Sequence, residues 1–136
     1  MKKIGIIGSG TMGHGIATAF SIYGYDVNIY DTNAEVLTKA KELIKQELEL
    51  FVSEDYLPNL EIEACLANIK FSTNLQSTVA DRDYVIEAAP EVMELKQNLF
   101  KQLDELCPAT TIFASNTSSL PLQEMMKLVS KTANSA

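Results

Sequence analysis

The stretch Lys3-Ile4-Gly5-Ile6-Ile7-Gly8-Ser9-Gly10-Thr11-Met12-Gly13 decides the fold of this chain. It predicts a short apolar strand, a glycine-rich turn and the start of a helix. Gly8, Gly10 and Gly13 have the G-x-G-x-x-G spacing. The first glycine permits a sharp turn, the second lets a phosphate approach the backbone, and the third lets the helix pack closely. Because the first N–H groups of a helix are unpaired and lie at the positive end of its dipole, this arrangement is typical of dinucleotide binding.

The residues after the glycines support that interpretation over a plain turn. A helical pattern at 12–23 is followed by a second strand, Asp26–Tyr30, which ends in Asp31. Asp31 follows the last glycine at close to the roughly 20-residue distance typical of a ribose-binding carboxylate. A carboxylate accepts hydrogen bonds from the ribose hydroxyls and repels a 2′-phosphate, and the next residues, Thr32 and Asn33, supply no arginine. The sequence therefore predicts NAD(H) rather than NADP(H).

Composition and charge exclude several other classes of protein. The 136 residues are 46% hydrophobic and 21% charged, which is typical of a soluble globular protein, and no apolar run approaches the roughly 20 residues of a membrane span. The net charge of −7 disfavours nucleic acid or an anionic membrane as the main partner. Cys65 and Cys107 have neither C-x-x-C spacing nor histidine companions. They predict reduced, buried or half-buried thiols in a cytoplasmic protein and no metal site.

Strands and helices alternate along the rest of the chain. The first predicted elements are a long helix with Asn33 as N-cap and Phe51 near its end, a short helix at 61–67, a strand at 69–71 and a short helix or turn at 75–79. They are followed by a strand buried on both faces at 84–89, a helix at 91–107, a strand at 111–114, a polar turn at 115–119 and a helix at 122–129. In the helix at 91–107 the residues predicted to face inward are Val92, Leu95, Leu99, Phe100, Leu103 and Leu106. This order predicts an α/β fold in one domain over 1–136. Its sheet is doubly wound, mostly parallel and of Rossmann type, with a helical excursion that projects after the second strand.

Three stretches carry a more specific resemblance: 4–13, then 85–91 with Leu95-Lys96 and Leu99-Phe100, and finally 111–120. Through them the chain resembles, over nearly its whole length, the NAD-binding domain of 3-hydroxyacyl-CoA dehydrogenases, including bacterial 3-hydroxybutyryl-CoA dehydrogenases. The resemblance implies an oxidoreductase of fatty acid metabolism. Such an enzyme passes a hydride from a 3-hydroxyacyl-CoA, here expected to be short-chain, to NAD and leaves the 3-ketoacyl-CoA.

The resemblance also implies a role for each matching position. The pyrophosphate would lie on Gly8, Ser9, Gly10, Thr11, Met12 and Gly13, the adenosine ribose on Asp31, and the nicotinamide side of the cleft on Glu91, Lys96, Asn116 and Ser118. Asn116 would bond the nicotinamide ribose. Ser118 is the candidate catalytic residue, because it would hydrogen-bond the substrate's 3-hydroxyl beside the reacting carbon. Without the resemblance, Lys96 reads as a solvated helix lysine and 116–119 as a capping turn.

Two departures from the family limit what these 136 residues are expected to do. The family's catalytic histidine and its paired glutamate, and the helical C-terminal domain that completes the CoA site and the dimer interface, come after the position of Ala136. We therefore expect this truncated chain alone to be inactive and the full-length enzyme to be a homodimer. The one histidine, His14, is predicted to be a helix-surface residue without a catalytic role.

Three other functions stay open at the level of sequence. The acidic end of the long helix, Glu47, Glu49, Glu54 and Asp55, replaces the basic and hydroxyl residues with which the family faces CoA. A related dehydrogenase of a non-CoA 3-hydroxy acid such as L-gulonate is therefore one alternative. A stand-alone NAD-binding module without catalysis is another. An S-adenosylmethionine-dependent methyltransferase shares the fold, but the complete G-x-G-x-x-G pattern disfavours it.

Overall fold

The computed structural model describes residues 2–90 and 92–115, and within them five strands alternate with five helices. In chain order these elements are β1 (Lys3–Ile7), α1 (Thr11–Ile22), β2 (Asp26–Tyr30), α2 (Ala34–Ser53), α3 (Ile62–Ala67), β3 (Ile69–Ser72), α4 (Leu75–Val79), β4 (Tyr84–Glu87), α5 (Met93–Leu106) and β5 (Ile112–Ser115). The helix predicted at 122–129 lies outside the described residues.

The strands form one parallel sheet in the order β3-β2-β1-β4-β5. The chain builds outward from β1 to β3 and then crosses to β4 on the other side of β1. The order therefore reverses between β1 and β4, and in open parallel sheets ligands bind beside such a switch point, at the carboxyl ends of the strands. The doubly wound α/β fold predicted from the sequence is confirmed.

Each face of the sheet is covered by helices and holds its own hydrophobic core. Alternate residues of β1 serve opposite faces, because successive side chains of a strand point to opposite sides. One core contains Ile4, Ile6, Ala17, Val27, Ile29, Leu37, Ile44, Leu48, Cys65 and Ile69, where α1, α2 and α3 pack. The other contains Ile7, Val79, Val85, Phe100, Leu103, Cys107 and Phe113, where α4 and α5 pack. The helical excursion is α2 and α3, and α2 packs along α1.

Two local predictions are confirmed: the N-cap of the long helix and the burial of the two cysteines. The side-chain oxygen of Asn33 accepts the N–H groups of Glu35 and Val36 and so caps α2. Cys65 and Cys107 are both buried and form no disulfide. None of the helices in the described residues combines the length and apolar composition that a bilayer-spanning helix requires.

Two predictions for the second half of the chain are wrong in detail. β4 ends at Glu87 rather than at residue 89, because its register partner Ile7 is the last residue of β1 before the glycine turn. The helix begins at Met93, and Val92 and Leu95, predicted to face inward, are exposed. Phe100 and Leu103 are buried as predicted, and Lys96 is buried on the same face of α5.

The amino ends of the strands are joined by a buried arginine. One Nη of Arg82 donates to Oδ1 of Asp26 at 3.0 Å, and Nε donates to Oδ1 of Asp81 at 2.9 Å. The hydrogen bond from Arg82 lowers the pKa of Asp81 to about 2, and a second bond from Lys3 acts in the same direction. This charge cluster lies at the amino ends of the strands, opposite the switch point, and links the starts of β1 and β2 to the segment before β4.

Candidate functional site

The first glycine of the loop occupies a position that only glycine fits. Gly8 has φ +101°, a left-handed conformation that side chains disfavour, and a Cβ on it would lie 2.6 Å from the carbonyl oxygen of Ala88. Its N–H donates to the carbonyl of Tyr30 at 2.7 Å. Gly8 therefore closes the space between the ends of β1, β2 and β4 and turns the chain towards α1.

The other two glycines have different surroundings. A Cβ on Gly13 would overlap the carbonyl oxygen of Gly8, so Gly13 lets α1 pack directly on the loop. A Cβ on Gly10 would meet nothing within 4 Å. The space above Gly10 is therefore open to a ligand, as a backbone cradle for phosphate requires. Thr11 begins α1, and Met12, in its first turn, is 57% exposed.

Asp31 reaches back from the end of β2 to the glycine loop. Its Oδ2 accepts the N–H and the hydroxyl of Ser9, both at 3.0 Å, and its Oδ1 accepts the N–H of Asn33 at 3.1 Å. Ser9 is buried, so its side chain holds Asp31 instead of presenting itself to a phosphate. An ionised carboxylate has about four acceptor sites, so Asp31 keeps capacity for a ribose hydroxyl.

A cavity of about 470 Å³ opens beside Asp31. Gly8 and Asp31 line one side and Ala89 and Pro90 another. One face of α5 closes it with Leu95, Asn98, Leu99 and Gln102, at helical spacing. Exposed Leu95, wrongly predicted as core, therefore belongs to this cavity. The open cradle at Gly10, the carboxylate and the partly apolar cavity fit the phosphate, ribose and base of a dinucleotide.

Lys96 is not the solvated lysine that the helix pattern alone predicts. It is fully buried, and its Nζ lies 2.9 Å from Oε1 of Glu87, which is also fully buried. The same Oε1 accepts the hydroxyl of Ser115 at 2.6 Å, and Oε2 accepts the N–H of Ala89. This ion pair therefore ties α5 to the carboxyl ends of β4 and β5, where the nicotinamide side of the site was predicted.

Sequence analysis missed Glu87. A signal was present, because Glu87 is the one charged residue in the run 84–89, which otherwise predicts a buried strand. Charged side chains are almost never fully buried unless they are paired. A carboxylate in such a strand therefore indicates a cationic partner elsewhere in the chain.

His14 was predicted to lie on the helix surface, and that prediction is wrong. The residue is only 8% exposed, its Nδ1 lies 2.9 Å from the carbonyl oxygen of Gly10, and its Nε2 lies 2.8 Å from Oε1 of Glu47. The first turn of α1 faces α2, so a side chain one turn after Gly10 is covered by that helix. The imidazole therefore joins the glycine loop to α2.

Three predicted site residues, Glu91, Asn116 and Ser118, lie outside the described residues. Ser115, the last described residue, ends β5 next to β4 and is bonded to Glu87. No group of three or more His, Cys, Asp or Glu residues placed to hold a metal ion occurs in the described part of the chain.

Comparison with known proteins gives consistent matches. The family model described as "3-hydroxyacyl-CoA dehydrogenase, NAD binding domain" matches residues 3–136. Human mitochondrial hydroxyacyl-coenzyme A dehydrogenase is 37% identical over 127 residues, which are 90% of this chain and 40% of that protein. The 3-hydroxybutyryl-CoA dehydrogenase of Clostridioides difficile is 37% identical over 123 residues, which are 90% of this chain and 43% of that protein.

A solved structure agrees with the sequence matches. The crystal structure of 3-hydroxybutyryl-CoA dehydrogenase from Escherichia coli superposes with a TM-score of 0.93 at 36% identity, covering 99% of this chain and 28% of that one. The chain spans less than half the length of each of these relatives. By their names all three act on CoA compounds, which does not favour the non-CoA alternative.

Proposed function

Because the chain belongs to the family of 3-hydroxyacyl-CoA dehydrogenase NAD-binding domains, we propose that it is the cofactor half of an enzyme that oxidises a short-chain 3-hydroxyacyl-CoA. NAD is the cofactor of this domain, which agrees with the prediction made from Asp31. The methyltransferase alternative is thereby excluded. The oxidation itself, the CoA substrate and the dimer belong to the whole protein and form the proposal.

The observation that carries the proposal is the continuity of the site along the switch point. The open cradle at Gly10, the Asp31 carboxylate and the cavity against α5 follow one another at the carboxyl ends of β1, β2 and β4. A dinucleotide needs that sequence of phosphate, ribose and base subsites. The Glu87–Lys96 pair lies beside β5, at the end where the substrate would meet the nicotinamide.

Bound NAD supplies the hydride acceptor. The chain's own residues would bind the cofactor and orient the cofactor and the substrate. The N–H groups at the start of α1 would face the pyrophosphate, and Asp31 would accept a ribose hydroxyl. Glu91 would line the nicotinamide side, and Lys96 would support that side from its buried ion pair with Glu87 without touching the cofactor. Asn116 would bond the nicotinamide ribose, and Ser118 would donate to or accept from the substrate's 3-hydroxyl. Fixing the reacting carbon in this way lowers the entropic part of the barrier.

We further propose that these 136 residues do not turn over substrate by themselves. Removal of the 3-hydroxyl proton needs a general base, which contributes roughly 10²–10⁴-fold. The one histidine, His14, is bonded to Gly10 and Glu47 and so is committed to the loop. In the whole protein the base, the CoA contacts and the contacts of a homodimer would come from residues beyond these.

Spectrophotometric assay of NADH formation tests the proposed function. We expect the whole protein to oxidise 3-hydroxybutyryl-CoA and to leave free 3-hydroxybutyrate nearly untouched, while the 136-residue chain binds NADH but shows no turnover. In the whole protein, Ser118→Ala should lower kcat. The matched control Ser53→Ala changes an exposed serine at the end of α2 and should leave kcat unchanged. Preference for the free hydroxy acid would contradict the CoA assignment, and turnover by the short chain would show that the base lies within it.

A further inference from the structure

The imidazole of His14 contacts two acceptors on opposite sides of the ring. Nδ1 lies 2.9 Å from the carbonyl oxygen of Gly10, and Nε2 lies 2.8 Å from Oε1 of Glu47 on α2. A carbonyl oxygen can only accept, so the nitrogen facing Gly10 must carry a proton to bond it. An ionised carboxylate likewise only accepts. The imidazolium satisfies both contacts, and either neutral tautomer leaves one ring lone pair facing an oxygen.

The Gly10 carbonyl belongs to the peptide that faces the phosphate cradle. It accepts the N–H of His14 at 3.0 Å as well as the imidazole. The Gly10–Thr11 peptide is planar and trans, so its N–H points opposite to its carbonyl. Holding the carbonyl inward against His14 therefore turns the N–H of Thr11 away from the helix interior, at the end of α1 that follows the glycine loop. Gly10, the N-cap residue, makes no side-chain capping bond, so the imidazole adds a second contact to the backbone bond from His14.

We propose that His14 is a positioning residue of the cofactor site, whose protonated imidazole, held by Glu47, fixes the Gly10–Thr11 peptide for the pyrophosphate. Loss of the proton removes one of the two contacts and loosens the link between the loop and α2. The affinity for the dinucleotide is therefore expected to be lower in alkaline than in mildly acidic solution. This inference rests on the cofactor function proposed above.

Other titratable groups near α1 have different partners. α2 brings Glu47 to the ring, α3 contributes the buried Cys65, and the end of β2 contributes Asp31. Asp31 is bonded to Ser9 and Asn33, and burial raises the pKa of the Cys65 thiol. Among the residues that the structure describes, Glu47 is the charged side chain that bonds His14. The pair His14–Glu47 is therefore the group expected to carry the pH dependence.

The test is the NADH dissociation constant of the 136-residue chain, measured by calorimetry at intervals between about pH 6 and pH 8.5, the range in which histidines titrate. His14→Gln keeps an amide donor for Gly10 but has no charge. We expect it to bind NADH about fivefold to tenfold more weakly than the unmodified chain near pH 6, with the two converging near pH 8.5. Circular dichroism confirms that each variant is folded.

Two further variants separate positioning from general charge effects. Glu47→Gln lets a neutral imidazole bond both neighbours, so we expect its NADH affinity to vary less with pH than that of the unmodified chain. Glu49→Gln removes the same charge from an exposed position on the same helix and should keep the unmodified profile. An unaltered pH profile in both His14→Gln and Glu47→Gln would overturn the inference while leaving NAD binding intact. Absence of NADH binding by the unmodified chain would overturn the cofactor site itself, and this inference with it.

Discussion

The Nζ atom of Lys96 lies 2.9 Å from Oε1 of Glu87, and neither side chain is accessible to solvent. Such a pair costs several kcal/mol to desolvate, and each charge is compensated mainly by the other. The second carboxylate oxygen of Glu87, Oε2, accepts the N–H of Ala89, which lines the cavity. The pair therefore holds α5 against β4 and also fixes the part of the cavity wall that contains Ala89.

Removing one partner of this pair should destabilise the fold strongly. We expect Lys96→Met or Glu87→Gln to lower the free energy of unfolding by about 3–5 kcal/mol, because an uncompensated charge or polar group stays buried. The double variant should lose less than the sum of the two. Denaturant unfolding measures this, with exposed Lys101→Met on the same helix as the control. Additive losses in the double variant would show that the two side chains do not depend on each other.

The glycines of the loop should respond differently to an added methyl group. Gly13→Ala should lower stability, since its Cβ overlaps Gly8, whereas Gly10→Ala should change the free energy of unfolding by less than about 1 kcal/mol. Gly10→Ala should nevertheless weaken NADH binding at least about tenfold. Gly15→Ala, whose Cβ also meets nothing within 4 Å, is the matched control and should bind NADH normally. Equal NADH affinity in the Gly10 and Gly15 variants would mean that the loop is only a turn.

The Asp81–Arg82 contact should make the stability of the fold depend on pH in the acid range. The folded-state pKa of Asp81 is about 2 against an ordinary value of 3.8, so its contribution to stability is fully present above about pH 4 and is lost as the pH falls towards 2. Asp81→Asn should therefore flatten the decline of stability across that window. The effect should be modest, because the carboxylate is more than half exposed. If the free energy of unfolding falls equally with pH in Asp81→Asn and in the control Glu105→Gln, the lowered pKa of Asp81 is contradicted.

The part of the site that rests on local spacing could be predicted from the sequence. The glycine positions and Asp31 belong to one strand–turn–helix–strand unit, in which short-range sterics decide where each residue lies. The alternating order of strands and helices was likewise enough to predict a doubly wound, mostly parallel sheet, whereas the strand order and its switch point came from the structure.

Contacts between distant elements could not be predicted in the same way. His14 and Glu47 meet because α1 and α2 pack side by side. Lys96 of α5 is buried because it forms an ion pair with Glu87 at the end of β4. Periodicity alone placed Leu95 in the core and Lys96 in solvent, since it weighs each side chain without its partner. The roles of Glu91, Asn116 and Ser118 remain predictions.

The most direct test is a side-by-side titration of the chain with NADH and with NADPH. In the proposed site the Asp31 carboxylate would face the adenosine ribose and repel a 2′-phosphate, so we expect NADH to bind at least about tenfold more tightly than NADPH. Asp31→Asn, which can still accept from Ser9, should narrow that ratio, and Asp55→Asn, after the end of α2, should leave it unchanged. Equal affinity of the unmodified chain for the two nucleotides, or binding of neither, would contradict the assignment of Asp31 and the glycine loop as the NAD site.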